Sequence, residues 1–479
     1  MPGNDRDVES VLEGFSPLVS SWFRSAYDAP TAIQSRAWPR IHSGAHVVIT
    51  APTGSGKTLT AFLAGIDRIV RGEWPTGELS MLYVSPLKAL NNDIQRNLLT
   101  PLAGLREHAR ERGERFPDIR VATRSGDTPS NERQRMVRTP PEVLITTPES
   151  LNIILSSPRA RRMLSTVRTV ILDEIHAVVG TKRGTHLVTA VERTAMMAGE
   201  FQRIAISATV RPPELVARFV GGYRPDGAML VAREVEVIAA PDEKAIELTV
   251  DFPDTEEELE PGRTEGLWPH LVRELRAIID RNRSTLIFVT TRRHAEKLTL
   301  LLNDGLESPI AYSHHGSLSR ELRHFVEQAL KEGRLRAIVA TNSLELGIDI
   351  GALDQVVMVR TPFSVSSSLQ RLGRAGHRVG ETSRGTLFPL FGRDMVDAAA
   401  MAAATLEHDI EDVHPVHAPL DVLAQVIVSM TAMEPWNVDE LYEALRRAWP
   451  YHELQHDHFA LVVEMLAGRY AETRIRELR

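Results

Sequence analysis

Short runs of apolar, mostly β-branched residues alternate with longer segments of helical spacing through about the first 220 residues. The segments between the runs, such as Leu59–Val70 and Gly184–Ala198, place apolar residues on one face of a helix. This alternation predicts βαβ units and a parallel sheet covered by helices on both faces. The predicted strands are Val47–Thr50, Met81–Ser85, Ile119–Thr123, Val143–Thr146, Thr169–Leu172 and Arg203–Ser207.

A second α/β region follows, after extended β-branched pieces at 228–250 and an acidic, Gly- and Pro-containing stretch at Pro253–Gly266. That stretch is typical of a surface loop. The later pattern predicts helices Pro269–Arg281, His294–Asp304 and Arg320–Glu332, with strands Thr285–Val289, Ala337–Ala340 and Gln355–Val359. We therefore expect one domain over residues 1–228 and a second over 229–410.

The strand pattern stops near His414, and three amphipathic helices are predicted at Leu420–Met430, Val438–Ala448 and His458–Ala467. Asn437 and Asp457 are of the residue types that cap helices. Three such helices fit either a winged-helix relative or a plain helical bundle, and the helices alone do not decide between them. We expect a third, winged-helix-like domain over 411–479, incomplete because its hairpin would follow Arg479.

Composition limits the class of protein further. The 479 residues are 43% apolar and 25% charged, which is typical of a globular chain of several domains. The absence of cysteine excludes disulfide partners and thiolate chemistry. No apolar run approaches ~18 residues, so we expect no membrane partner and a cytoplasmic, nucleoid-associated protein. The net charge of −7 excludes a global basic footprint for nucleic acid, although not a local basic channel.

The first candidate site follows the first strand, where Ala51–Thr58 reads Ala-Pro-Thr-Gly-Ser-Gly-Lys-Thr and precedes a helix. Glycines permit a tight loop whose N–H groups face phosphate oxygens, and the helix N-terminus adds positive potential. Lys57 would reach the β- and γ-phosphates, and the Thr58 hydroxyl would bind Mg²⁺. The strict motif begins with Gly, where this chain has Ala51. We expect ATP and Mg²⁺ as cofactors, with the nucleotide bound by Thr53, Gly54, Ser55, Gly56, Lys57 and Thr58.

A pair of carboxylates, Asp173 and Glu174, follows the strand Thr169–Leu172. Charges beside a buried strand are costly unless something compensates them. Mg²⁺ would do so: Asp173 can hold the metal while Glu174 polarises the attacking water. An isolated pair would fit an exposed acidic turn equally well, but the phosphate loop in the same predicted sheet favours the metal.

Arginines are concentrated around two glycines at Gln370–Arg378 of the second domain. A planar guanidinium suits an arginine finger that stabilises the γ-phosphate, although the segment also fits a solvated basic turn. The strand at 285–289 is followed by Thr-Thr-Arg rather than a glycine loop. One phosphate loop and one finger predict a single ATP between two domains.

Three further segments follow strands and carry short polar side chains: Pro86–Leu90, Thr146–Ser150 and Thr341–Ser343. Hydroxyls, backbone N–H groups and a lysine at helix starts suit the phosphates of a nucleic acid strand. Ordinary helix capping is an equally good interpretation of each segment. The histidines form no set with metal-ligand spacing, so we expect structural or surface roles for them.

Taken together, these segments occur in the motif order of superfamily 2 helicases. The chain resembles the large helicase-related (Lhr) family of bacterial and archaeal DEAD/DEAH-type helicases. The resemblance covers nearly the whole chain. The segments that carry it include Asp173–Ala177, Lys182–Gly184, His314–Ser317, Ser343–Asp349, Gly373–His377, Pro419–Gln425 and Met465–Tyr470.

The resemblance implies two tandem RecA-like P-loop domains and a winged-helix-like segment. It implies ATP hydrolysis coupled to 3′-to-5′ movement on single-stranded DNA, with unwinding of duplex DNA or DNA·RNA hybrid, in DNA repair or related metabolism. His377 stands where many relatives have arginine, so Arg378 would serve as a second finger.

The resemblance also assigns roles to individual residues. Gln34 would contact adenine, Gly347 and Asp349 would line the nucleotide cleft, and Arg374 would be the finger. Coupling of hydrolysis to the strand falls to His176, Ser207, Thr209 and Gln370. Strand contacts fall to Pro86, Lys88, Thr147, Pro148, Thr341 and Asn342.

The leading hypothesis is an ATP-dependent helicase or translocase. Family members continue beyond the winged helix, so an alternative is a nucleotide-gated binder that unwinds little. A transport or structural P-loop ATPase is disfavoured because no membrane span and no second composite site are predicted.

Overall fold

The computed structural model describes residues 11–52, 54–86, 88–227, 229–240, 245–253, 266–345, 353–376 and 382–469; within them, the side chains of 88–93, 96, 320, 324 and 331 are left out. Two compact units divide the chain. The first unit comprises 1–51, 56–241 and 412–479, and the second comprises 52–55 and 242–411. The C-terminal segment therefore belongs with the first unit.

The described part of the first unit is built on a seven-stranded parallel sheet of order β3-β4-β2-β5-β6-β1-β9. Its strands are β1 His46–Thr50, β2 Met81–Val84, β3 Val121–Arg124, β4 Val143–Thr146, β5 Thr169–Leu172, β6 Gln202–Ser207 and β9 Val235–Ala239. A short antiparallel hairpin, β7 Tyr223–Asp226 and β8 Met229–Ala232, precedes β9. The central strands are apolar along their whole length because helices cover both faces of the sheet.

The helices of the first unit, before its C-terminal segment, are α1 Pro17–Ala26, α2 Ala32–His42, α3 Lys57–Val70, α4 Lys88–Glu111, α5 Ser130–Arg138, α6 Pro148–Leu155, α7 Lys182–Ala198 and α8 Pro213–Gly221. Side-chain oxygens of Thr31, Thr147 and Thr181 accept backbone N–H bonds at the starts of α2, α6 and α7. These bonds satisfy amides that a helix leaves unpaired at its first turn.

The second unit contains a six-stranded parallel sheet of order β10-β15-β14-β11-β13-β12 among its described residues. The strands are β10 Ile246–Val250, β11 Thr285–Phe288, β12 Ala311–His314, β13 Ala337–Ala340, β14 Gln355–Val359 and β15 Ser383–Phe388. The helices are α9 Leu267–Arg281, α10 Arg292–Asn303, α11 Arg320–Lys331, α12 Val365–Leu372 and α13 Asp394–Leu406. Both units thus show the predicted parallel α/β architecture.

The C-terminal segment is helical, with α14 Leu420–Thr431, α15 Val438–Arg446 and α16 His456–Leu466 around a small apolar core of its own. Its Trp449 belongs to the main core of the first unit and meets Phe219 of α8 edge-on, with ring centroids 5.9 Å apart. The segment is therefore packed against the first α/β layer rather than tethered to it.

Several local predictions are corrected by the structure. Asn437 caps α15 as predicted, accepting the Asp439 and Glu440 N–H groups, but Asp457 lies inside α16, which begins one residue earlier. The domain boundary predicted after residue 228 is wrong, because β9 follows it and pairs with β1 in the first sheet.

Within the described residues, no helix has the length and hydropathy that crossing a membrane requires.

Candidate nucleotide site

The loop after β1 owes its shape to two glycines in the left-handed region, Gly54 at φ +80° and Gly56 at φ +85°. Helix α3 begins directly after Gly56, at Lys57. A Cβ atom on Gly56 would lie 2.9 Å from Nε2 of Gln34, too close for any side chain unless that amide moves. Only glycine provides both this backbone conformation and this close approach.

Gln34 is fixed by a reciprocal capping box at the start of α2. Its Oε1 accepts the Thr31 N–H at 2.8 Å, while its own N–H is directed at Thr31 Oγ1 at 3.4 Å. This arrangement orients the amide, so Nε2 is the group beside Gly56. The residue that the resemblance assigns to adenine therefore lies next to the phosphate loop.

Lys57 and Thr58 are half-buried at the first turn of α3. The Lys57 ammonium donates to the Ala51 carbonyl at 2.6 Å, which holds the side chain folded back over the loop. Ser55 Oγ donates to the Pro52 carbonyl at 2.8 Å. Backbone, hydroxyl and ammonium groups are thus gathered at one helix N-terminus, the setting that binds phosphate.

Asp173 and Glu174 lie where β5 ends, and both are buried, with 4% and 8% of their surface exposed. Asp173 Oδ1 accepts the Glu174 N–H at 2.9 Å, and Oδ2 accepts the hydroxyl of Tyr83. Burial, and then the charge of Glu174, raise the pKa of Asp173, while the Tyr83 hydrogen bond and the Lys57 charge lower it. A cation close to this carboxylate would favour its ionised form.

Glu174 has an unusual backbone for a non-glycine residue, with φ at +48°. Such conformations cost roughly 1–3 kcal/mol and persist where the surrounding structure enforces them. The turn opens the one-turn helix Ile175–Ala177. It also brings the Glu174 carboxylate within 3.4 Å of Nδ1 of His176.

His176 connects the β5 and β6 ends. Its Nδ1 accepts the Ala208 N–H at 3.1 Å and lies 3.3 Å from Ser207 Oγ. Glu174, predicted to polarise the attacking water, is therefore in one network with His176 and Ser207, which are predicted to couple hydrolysis to the strand. Thr209, predicted to share the coupling role, is exposed instead.

In the second unit, Arg374 follows α12 and is only 2% exposed. Its guanidinium donates to the Glu345 carbonyl through Nη2 at 2.9 Å. Arg371 donates to the Glu345 carboxylate at 3.0 Å and to Asn342 Oδ1 at 3.3 Å. Gln370 Nε2 donates to Ser366 Oγ at 3.3 Å. Arg371 and Glu345 thus link the predicted finger to Asn342, whose expected contact with the nucleic acid strand stays a prediction.

Among the candidate strand contacts that the structure describes, Thr147 acts as a helix cap, whereas the Thr341 side chain makes no such bond. Thr147 is buried and its hydroxyl accepts the Ser150 N–H at 3.3 Å, with Pro148 as the buried first residue of α6. Pro86 is also buried, whereas Thr341 is half-buried. These strand contacts stay predictions.

Several predicted residues lie outside the described part of the chain. They are Thr53, Gly347, Asp349, Arg378 and the side chain of Lys88.

Magnesium fits the donors that are present. Across the described ranges, no three His, Asp or Glu side chains converge as a closed metal cage. Mg²⁺ needs no such cage, because it keeps several waters and is bound through one or two carboxylates together with substrate phosphates. Asp173, raised in pKa by burial, and the Thr58 hydroxyl at the helix start match that donor set.

Sequence reasoning missed Tyr83, whose hydroxyl contacts Asp173. The available signal was a tyrosine within an otherwise aliphatic, fully buried strand. Such a tyrosine requires a hydrogen-bond partner for its hydroxyl.

Three protein-family models match successive parts of the chain. The DEAD/DEAH box helicase family model matches residues 31–216, and the helicase conserved C-terminal domain matches 270–379. The winged helix domain of large helicase-related protein matches 403–479. Each α/β region, and the helical segment after them, is thus matched by a family model of its own.

Individual relatives are similar over almost the whole chain. The Lhr helicase/uracil glycosylase of Escherichia coli is 44% identical, over 97% of this chain and 33% of the relative. The ATP-dependent helicase Lhr-Core protein 2 of Thermococcus barophilus is 43% identical, over 97% of this chain and 54% of the relative. The chain thus spans between a third and just over half of these relatives' length.

One solved structure, Mycobacterium smegmatis helicase Lhr bound to ssDNA and AMP-PNP, superposes with a TM-score of 0.87 at 45% identity. The match covers 95% of this chain and 58% of that one. The class of protein is therefore a DEAD/DEAH-box helicase with two RecA-like domains. Within that class, the chain belongs to the large helicase-related family, whose winged-helix domain it carries.

Proposed function

We propose that the protein is an ATP-dependent motor that moves on single-stranded DNA and unwinds duplex DNA or DNA·RNA hybrid. The observation that carries the proposal is that the segment with Gly56 and Lys57 follows β1, while the Asp173–Glu174 pair follows β5 of the same sheet. The bound ssDNA and AMP-PNP of the Mycobacterium smegmatis relative support the same ligands here.

Within this proposal, Lys57 and the loop amides bind the phosphates of ATP. Mg²⁺, held by Thr58 and Asp173, would neutralise phosphate charge. Glu174 accepts a proton from the attacking water, and its contact with His176 ties that step to Ser207 and Ala208 on the β6 end. Arg374 acts on the γ-phosphate, and Gln34 contacts the base.

The test is ATP turnover with and without single-stranded DNA, followed by strand separation on DNA and DNA·RNA duplexes. We expect DNA to stimulate wild-type turnover and Lys57→Ala to reduce turnover roughly 100-fold, because one phosphate-binding cation is lost. Lys297→Ala is the matched control, since that lysine lies over the Trp268 ring in the second unit, 4.6 Å from its centroid. Turnover that ignores DNA, or full activity in Lys57→Ala, would contradict the proposal.

A further inference from the structure

Tyr83 and Asp173 belong to neighbouring strands, and the sheet register brings them together. Tyr83 of β2 pairs with Ile171 of β5. Residues two apart on a strand share a face, so Asp173 follows Ile171 on the face that Tyr83 occupies. The tyrosine is long enough to span that step, and its hydroxyl donates to Asp173 Oδ2.

The tyrosine ring has no freedom to leave this position. It is fully buried, and Phe62 of α3 stacks on it with ring centroids 5.0 Å apart and an interplanar angle of 18°. Helix α3 is the one that begins at the phosphate loop. Tyr83 therefore joins the loop's own helix to the carboxylate at the end of β5.

A phenylalanine ring would pack in the same way as the Tyr83 ring, so packing does not account for the hydroxyl. Burying a hydroxyl is costly unless it forms a hydrogen bond, and a bond to an ionised acceptor is the strong kind. A tyrosine hydroxyl is protonated at neutral pH, so it is the donor in the bond to Asp173. Asp173 thereby has a protein donor on each oxygen, Tyr83 on Oδ2 and the Glu174 amide on Oδ1.

We propose that Tyr83 is a positioning residue of the nucleotide site, whose hydroxyl holds the Asp173 carboxylate in the orientation that receives Mg²⁺. This inference rests on the proposed function, because it needs Asp173 to serve the metal that accompanies ATP. Partners of a metal ligand typically change metal affinity 10- to 100-fold when removed. Tyr83 is expected to act at that scale.

The experiment is a Mg²⁺ titration of the binding of a fluorescent, non-hydrolysable ATP analogue, so that the readout does not depend on turnover. In Tyr83→Phe we expect half-maximal binding to need about 10-fold or more Mg²⁺ than in the wild type. Binding without Mg²⁺ should be unchanged, because the loop and Lys57 are intact. The variant keeps the ring and its stack, and its melting temperature reports whether it folds.

Tyr442→Phe is the matched control. That hydroxyl donates to the Leu454 carbonyl at 2.6 Å within the C-terminal helices, away from Asp173. The control should lose a hydrogen bond without any change in Mg²⁺ dependence.

A double-mutant cycle separates positioning from a general structural role. If Tyr83 acts through Asp173, then Tyr83→Phe should have almost no further effect on Mg²⁺ dependence in an Asp173→Asn background. Equal effects in both backgrounds would overturn the inference, as would a wild-type Mg²⁺ requirement in Tyr83→Phe. A wild type that binds the analogue without regard to Mg²⁺, or not at all, would instead count against the proposed function.

Discussion

At the scale of single residues, the site contains a close approach that any larger side chain would disturb. Gly56 shows this most directly, since its φ of +85° and the 2.9 Å approach of Gln34 Nε2 to an ideal Cβ are independent constraints. Gln34 cannot give way cheaply, because its other amide atom accepts the Thr31 N–H in the capping box. One added methyl group would therefore disturb both the loop and the start of α2.

We predict that Gly56→Ala lowers the melting temperature and weakens binding of the ATP analogue. Gly44→Ala is the matched control, because Gly44 has a φ of +83° with nothing within 4 Å of its ideal Cβ. Both variants incur the left-handed strain of about 1–2 kcal/mol. Only Gly56→Ala displaces Gln34, so equal melting temperatures and equal analogue binding in the two variants would refute the argument.

The residue types of the candidate site can be picked out from the sequence, whereas the contacts between them cannot. Lys57 is identified by the glycine loop that precedes it. Asp173 and Glu174 are identified as charged residues directly after a buried strand. The Tyr83 contact could not be predicted, since it depends on the register between β2 and β5. The hydrogen bond from Arg371 to Asn342 Oδ1 could not be predicted either, because the two residues are distant in the chain. The nucleic acid contact expected of Asn342 stays a prediction.

At the scale of elements, central strands were predicted well because their apolar runs are unbroken. Two strands were not predicted. Ala311–His314 lies at the edge of its sheet and contains polar residues, and Ser383–Phe388 begins with the residues Ser-Arg-Gly. Pairing with neighbours distant in sequence makes these segments strands, and local propensity does not report it.

The packing of the C-terminal helices on α7 could likewise not be predicted from the sequence. It includes one part-buried hydrogen bond and one exposed ion pair. Arg193 of α7 is 6% exposed, and its Nη2 donates to Ser429 Oγ of α14 at 2.8 Å. Burial lowers the pKa of Arg193 to about 10. By contrast, Lys182 and Asp421 form a solvent-exposed ion pair at 2.8 Å.

We predict that Ser429→Ala destabilises the chain by about 1–3 kcal/mol, because a buried guanidinium loses an acceptor. Lys182→Ala should leave the melting temperature unchanged, since exposed ion pairs contribute little. Thermal melting of both variants, with limited proteolysis to detect release of the C-terminal helices, provides the measurement. A larger effect for Lys182→Ala would show that surface charge holds the segment.

At the scale of the whole molecule, the proposed motor requires each unit to contribute to one hydrolysis step. The first unit has Gly56, the Lys57 ammonium and the paired carboxylates, and the second has Arg374 beside Glu345. Because a finger stabilises charge that develops only in the transition state, it should affect turnover and leave ground-state binding nearly unchanged.

We therefore predict that Arg374→Gln lowers kcat by about 10³-fold or more, with analogue affinity close to that of the wild type. Arg374→Lys should also be impaired, because an ammonium lacks the planar fork. Arg384→Ala is the control, since it removes an exposed arginine of the same unit that pairs with Glu247. Single-turnover hydrolysis measures the rate and analogue titration the affinity. A variant Arg374→Gln that hydrolyses ATP normally, or that loses the analogue as completely as the rate, would remove Arg374 from the transition state and leave the first unit to act alone.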